Sequence, residues 1–577
     1  MEKYTFRAME LHDSTQIWNL DEIRKRLDFM VKNHMNALVF HEPGIEDKIV
    51  FPAKFLGGSG EPESYYDAFL EVDHAILYHA LRENLNLNRR DYMNHVIREA
   101  KEAGVQIFFE NKELWFSDFI LKYKKELMQD GVICPSDPFW YEEFLPYKYK
   151  ELFLALPDLG GIVCSIGTGE ARLAISNTFA CGCERCRHLD PVEWYKHMIM
   201  ALYKPFHEAG KKLIIRDFIY TKEEQERFKT AFCAMPSDIV LSLKNTPHDF
   251  YPTFPDNPLM GQVDPHPQIT EYDVNGQFFG WGAQPSAMLK DIRRRLKYGS
   301  EHHVTGFLAR TDWEGVQDWT CFDNLNMVNL YAIAAYAENE NVREEEIYLK
   351  WLQGEHMLQE DLLPGELKRC VEEVAEIMNA TWPIVEKTNF VNGCLFSNDS
   401  CMHLTPEQFT FIGGTHHSLS EWDPEKKDAL AMTPENIRSI LADKEEARLR
   451  CEALADRVAR GNMGLTEQAY EKMREHFEFM RWYVRGFRLT ARGYCFGRYA
   501  TEADPQDVIA EGRTAAQLLD ETIREMEEYR EALIKTDFIG RYPFDAQLNP
   551  ERVLYYTNAL KRMAQQAGTD ETRSEQL

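Results

Sequence analysis

Up to about residue 340 the hydrophobic and polar positions follow a repeating scheme. Short apolar runs alternate with stretches in which apolar residues recur every three or four positions. The runs predict buried strands at 6–11, 37–41 (ALVFH), 105–110 (VQIFFE), 160–166 (GGIVCSI), 212–218 (KLIIRDF), 238–244 (DIVLSLK), 268–274 (QITEYDV) and 304–310 (VTGFLAR). The periodic stretches predict helices at 20–33, 91–103, 138–156, 192–209, 223–234 and 287–297. In the first of these Ile23, Leu27, Met30 and Val31 fall on one face behind the polar opener Asn19, and Gly104 stops the second. Eight strands separated by helices or long loops predict a parallel α/β barrel, the (β/α)8 TIM barrel. A doubly wound open sheet is the competing architecture. No glycine-rich dinucleotide fingerprint follows the first strand, which counts against it.

From residue 341 the scheme changes. Strand-like runs nearly vanish, and long amphipathic helices are predicted at 344–379, 434–460, 466–489 and 505–534. The expected organisation is a catalytic barrel over 1–340 and an α-helical C-terminal domain over 341–577. The segment 390–423, rich in Gly, Asn, Ser and His, carries no clear periodicity.

Composition narrows the function. Hydrophobic residues at 44% support sizeable cores rather than disorder. A formal net charge of −28 gives nucleic acid or an anionic membrane surface no electrostatic purchase. The opening MEKYTFRAMELHDS lacks a basic stretch followed by an apolar one, and no run is apolar enough to span a bilayer. A cytoplasmic location is therefore expected, with the twelve cysteines as reduced thiols.

Barrels place their chemistry at the C-terminal ends of the strands. There the sequence sets Glu170 and Arg172 after strand four, Arg216 and Asp217 at the end of strand five, and Lys244, His248 and Asp249 after strand six. Glu271 and Asp273 lie on strand seven, and Arg310, Asp312 and Glu314 follow on strand eight. Several acids with interleaved cations suit glycoside hydrolysis, which needs two carboxyl functions, one of them protonated. Each acid taken singly is equally a salt-bridge partner that fixes a loop.

The stretch DIVLSLKNTPHDFYPTFPDNPLMGQ, with QITEYDVNGQFFGW after it, resembles the α-glucuronidases of glycoside hydrolase family 67. DWTCFDNLNMVNLYAIAAYAENENVREEEIYLKWL resembles that family's passage from barrel to helical domain, and the similarity is best in the barrel's second half. The resemblance implies an exo-acting, inverting enzyme that removes a (4-O-methyl)glucuronic acid, or a related uronic acid, from an oligosaccharide. It implies Glu170 as general acid and Asp249 or Glu271 as base, separated by about 6.5–9.5 Å to admit a water. It further implies that Arg216 and Lys244 hold the uronic carboxylate and that the helical domain mediates a homodimer; Arg310, at the end of strand eight, is a third candidate cation for that carboxylate. No cofactor is required. The chain departs from the family in three ways: no Lys precedes Glu170, Asp249 and Glu271 stand closer in sequence, and no N-terminal β-rich domain precedes the first strand.

Cys181, Cys183 and Cys186 form C-G-C-E-R-C. Three thiols this close suit a structural zinc ion, with His188, Cys164 or a distant residue as fourth ligand. The other reading is a metal-free reduced cluster that braces the loop. Trp281 and Trp313 offer rings to stack on a sugar or to pack a core. His12, His41 and His248 lie near strand ends, in reach of hydroxyls or held structurally. Two other functions fit the same architecture. A hexosaminidase-like enzyme would carry an adjacent Asp-Glu pair after strand four, which GTGEAR lacks. A non-catalytic carbohydrate-binding protein would keep the aromatics and lose the paired acids.

Overall fold

The computed structural model describes residues 4–42, 44–50, 75–111, 116, 120–121, 124–129, 131–166, 173, 181–219, 221–411, 413 and 418–574. By internal contacts the chain divides into two compact units. The first holds 1–249, 256–272 and 297–310; the second holds 250–255, 273–296 and 311–577.

Eight strands of the first part of the chain close into one barrel: β1 (Phe6–His12), β2 (Ala37–His41), β3 (Gln106–Asn111), β4 (Gly161–Ser165), β5 (Lys212–Asp217), β6 (Val240–Lys244), β7 (Gln268–Asp273) and β8 (Val304–Arg310). Each strand is hydrogen-bonded to the next in sequence, and β8 returns to β1 with Phe6 opposite Gly306 and Glu10 opposite Arg310. Each strand read from the sequence is present, with ends shifted by at most two residues. Helices follow most strands, among them Leu20–Lys32, Ala75–Glu102, Leu145–Ala155, Pro191–Ala209, Lys222–Phe232 and Leu289–Glu301. Their ends are set locally. Asn19 and Asp190 accept backbone N–H groups at two N-termini, and Gly210 closes a C-terminus at φ 64°.

Side chains alternate across a strand, so every second residue points into the barrel. Ala8, Ala37, Val39, Phe108, Val163, Ile214, Ile269 and Leu308 form one buried apolar cluster there, with Phe6 and Val240 packed against it. Small and large side chains must be matched in such a narrow interior. Gly306 illustrates this: a Cβ at that position would stand 2.6 Å from Ile269 Cγ2 and 2.8 Å from Phe6 Cβ.

The second unit is built on the helix Glu467–Glu502, which packs with Pro434–Val458, Ala515–Leu533 and Pro550–Ser574. Phe396, Phe409, Phe479, Tyr483, Phe487 and Tyr494 anchor its core. Two predicted helices are interrupted. The stretch 344–379 breaks into Glu344–Gly354 and Pro364–Asn379, because Pro364 lacks an amide proton and is accommodated only in a first turn. The stretch 505–534 opens with a small antiparallel hairpin whose turn uses Gly512 at φ 68°, and the helix starts at Ala515. No described helix is long and apolar enough to cross a membrane.

Candidate active site at the barrel mouth

Two residues beyond the apolar cluster, the same inward alternation brings polar groups. Ala8 is followed by Glu10, Val39 by His41, Phe108 by Glu110, Val163 by Ser165 and Ile214 by Arg216. Val240 leads to Ser242 and Lys244, Ile269 to Glu271 and Leu308 to Arg310. All are buried. They stand toward the C-terminal strand ends, where barrel enzymes carry their chemistry.

Arg216 is the hub of this layer. Its Nε donates to Glu271 Oε1 and Oε2 at 2.8 and 2.9 Å, and its Nη2 donates to Oε2 at 2.7 Å. Ser242 Oγ adds a bond to Oε1 at 2.7 Å. Arg216 Nη1 also lies 3.2 Å from Glu110 Oε1. Across the layer Glu10 bonds His12 Nδ1 and lies 3.6 Å from Arg310 Nε. The His12 and His41 rings stack at 4.0 Å. Lys244 pairs with Asp249 and sits over the face of Phe218 at 3.6 Å.

These contacts separate the protonation states of the acids. Burial opposes the charge on Glu271, but the Arg216 guanidinium outweighs it and holds the carboxyl below its ordinary range. Burial is likewise overcome at Glu10, where Arg310 and His12 hold the carboxyl at about 2. Asp249 is held far down against burial by Lys244. Glu110 behaves oppositely. It is wholly buried, accepts no hydrogen bond among the described residues, and faces the negative charge of Glu10; it is pushed up to about 7. Burial also lifts Asp217 to about 7, against a 2.7 Å bond from Gln225, and lowers Lys244 to about 8.

The residues expected from the sequence are distributed as follows. Arg216, Lys244, Asp249, Glu271 and Arg310 belong to the first unit, and Arg216 and Glu271 are bound to each other. His248 is buried in the loop that carries Asp249, whose backbone is left-handed at φ 51°. Glu170 and Arg172 lie outside the described residues. Trp281 belongs to the second unit, where it is 4% exposed and its ring lies 5.1 Å from that of Trp313. Two acids escaped the sequence reading, Glu10 and Glu110. Stepping two residues on from the apolar positions Ala8 and Phe108 finds both.

Among the described residues, two groups of side chains converge as metal ligands would: Cys134 with Cys181, Cys183 and Cys186, and Glu10 with His12 and His41. In the second group Arg310 already brings positive charge to Glu10.

No protein-family model matches the chain, and no curated protein sequence is similar to it. Solved structures do match. A family 138 glycoside hydrolase that targets pectin rhamnogalacturonan II superposes with a TM-score of 0.59 at 12% identity, over 93% of this chain and 62% of that one. A family 89 glycoside hydrolase from Clostridium perfringens gives 0.47 at 12% identity, over 97% and 59%. A family 115 4-O-methyl-α-glucuronidase specific for decorated arabinogalactans gives 0.41 at 10% identity, over 98% and 62%. The first likeness establishes the fold: an eight-stranded barrel followed by further structure, of the kind found in that glycoside hydrolase. The chain spans about three-fifths of the length of each of these proteins.

Proposed function

We propose that this chain is a glycoside hydrolase that releases a uronic acid from an oligosaccharide, in the manner of an inverting α-glucuronidase. One observation carries the reading. The polar layer holds Glu110, pushed up to about 7, and Glu271, held ionised, on the same guanidinium. Glycoside cleavage needs one carboxyl of each kind.

Asp249 and Glu271 are the candidate bases. Both are ionised through cation pairing, which makes them weak proton acceptors before substrate binds. A uronate drawn in by Lys244, Arg216 and Arg310 shares those cations with them. Its carboxylate thereby loosens the clamp on the base and raises its basicity when substrate is in place. A neutral sugar has no such effect, so the arrangement favours an acidic one. His248, Arg172 and Trp281 remain proposed substrate contacts. Two carboxyls compete for the acid role: Glu170, from the family resemblance, and Glu110, from its raised pKa.

A panel of α- and β-linked uronides and neutral glycosides tests the reading, with NMR of the first-formed anomer. Release of the inverted uronic acid is expected. Release of a neutral sugar alone would remove the uronide assignment, and inertness toward the whole panel would remove the hydrolase. Between the two acids, the Gln variant of the true one loses turnover of natural substrates yet keeps it on aryl glycosides with acidic leaving groups, which need no proton.

A further inference from the structure

Four cysteines meet away from the barrel's polar layer. Cys134 follows the small hairpin of Met128–Gln129 and Val132–Ile133, while Cys181, Cys183 and Cys186 flank or lie in the short helix Glu184–Arg187. About fifty residues separate Cys134 from the other three in sequence, and it is the distant fourth partner that C-G-C-E-R-C lacked. All four Sγ atoms lie within 4.8 Å of one another. Cys134 Sγ is 3.7 Å from the Sγ atoms of both Cys183 and Cys186. Thiolates at about 2.3 Å from one tetrahedral zinc stand about 3.8 Å apart, the edge of that tetrahedron. A disulfide would need its sulfurs at about 2.05 Å, and all four cysteines are free. A multinuclear iron–sulfur cluster sets its cysteines farther apart, because the irons and sulfides stand between them.

The surroundings suit thiolates. The Cys186 backbone N–H donates to Cys183 Sγ at 3.3 Å, and the Ser136 hydroxyl lies 3.0 Å from Cys186 Sγ. The backbone on the Cys134 side is fixed from outside the cluster. The Trp140 indole donates to the Cys134 carbonyl at 3.0 Å, and the Trp194 indole donates to the Pro135 carbonyl at 3.2 Å. The bonds to carbonyls hold the ligand backbone in place, and the contacts to Cys183 Sγ and Cys186 Sγ offset the charge of a four-thiolate site.

We propose that Cys134, Cys181, Cys183 and Cys186 bind one structural Zn2+, which clips the segment after β3 to the segment after β4. Four protein ligands fill the tetrahedron and leave no position for substrate or water, so the ion is structural rather than catalytic. Its binding is independent of what the barrel mouth hydrolyses.

The test uses the full chain, purified without added metal or immobilised-metal columns. Elemental analysis is expected to find one zinc per chain. Exchange with Co2+ is expected to give thiolate-to-metal charge-transfer bands and the intense visible bands of tetrahedral cobalt. Cys134→Ser should lose the zinc equivalent, while Cys370→Ser, a buried thiol elsewhere, keeps it. Should Cys134→Ser fail to fold, the wild-type cobalt spectrum and the number of thiols unmasked by a chelator decide alone, with four expected. A wild-type chain that binds neither zinc nor cobalt, that carries iron instead, that gives an octahedral cobalt spectrum, or whose four thiols react freely before chelation overturns the proposal. So does a folded Cys134→Ser variant that retains a full equivalent.

Discussion

The barrel interior has two adjoining layers that obey one geometric rule and differ in kind. The lower layer, from Ala8 to Leu308, is apolar throughout. The next layer up, from Glu10 to Arg310, buries three glutamates beside two arginines. Both are buried, yet only the first stabilises the fold simply by being buried. Taking each ion of the upper layer out of water costs several kcal/mol, and pairing repays this incompletely, so well-packed apolar residues would serve stability as well or better. The upper layer is therefore best understood as an expenditure on function. Its imbalance is informative too. Three carboxyls share two guanidiniums, and Glu110, with the poorest partners, is the one that keeps its proton toward neutrality.

This contrast can be broken at several points. The largest effect is expected at Glu271. The variant Glu271→Gln should lower kcat on a uronide by about 10²–10⁴-fold, and steady-state kinetics at wild-type activity or near it would detach this residue from the chemistry. Next is Arg216→Ala, which strands Glu271 and Glu110 without their shared cation. It should cost about 3–5 kcal/mol in denaturant unfolding, and a loss under 1 kcal/mol would mean that water already screens the cluster. In the apolar layer Leu308→Ala should cost about 2–5 kcal/mol while kcat/KM stays unchanged wherever the variant is folded. A kinetic defect there would erase the division between layers.

The smallest effect is a slope. The folded-state pKa of Glu110, about 7, lies above the ordinary glutamate value of 4.5. Between these pH values the unfolded chain has released the proton that the folded one retains. Stability from this group is therefore fully present below pH 4.5 and lost as pH rises through 7. Asp217 contributes in the same direction. In unfolding curves measured across that window, Glu110→Gln should remove part of the decline and leave the part due to Asp217. Identical slopes in the two proteins would place the Glu110 pKa near its ordinary value.

The barrel was legible because buried parallel strands are nearly continuous apolar runs, and all eight were distinct in the sequence. The helical breaks at Pro364 and in the hairpin ahead of Ala515 were hidden, since amphipathic periodicity carries across a short interruption. In the site, the sequence showed which polar residues stand at strand ends but not which way they face. Alternation separates them. Arg216 and Glu271 keep step with Ile214 and Ile269 and turn inward, while Asp217 is out of step with them and accepts a bond from Gln225. Glu10 and Glu110 were passed over because attention went to the loops beyond the strands. The bond between Arg216 and Glu271 was not legible at all, because 55 residues separate them and only the folded sheet, with their strands on either side of β6, brings them together. Cys134 was hidden from the cysteine motif for the same reason.

The state of Glu110 can be observed without any substrate. Infrared difference spectra of the wild type and Glu110→Gln, recorded across a pH titration, isolate the carbonyl stretch of this one protonated carboxyl. A band absent from the variant and disappearing around pH 7 is predicted. A difference band that has already gone at the pH where ordinary glutamates ionise would contradict the division of protonation on which the proposed chemistry rests.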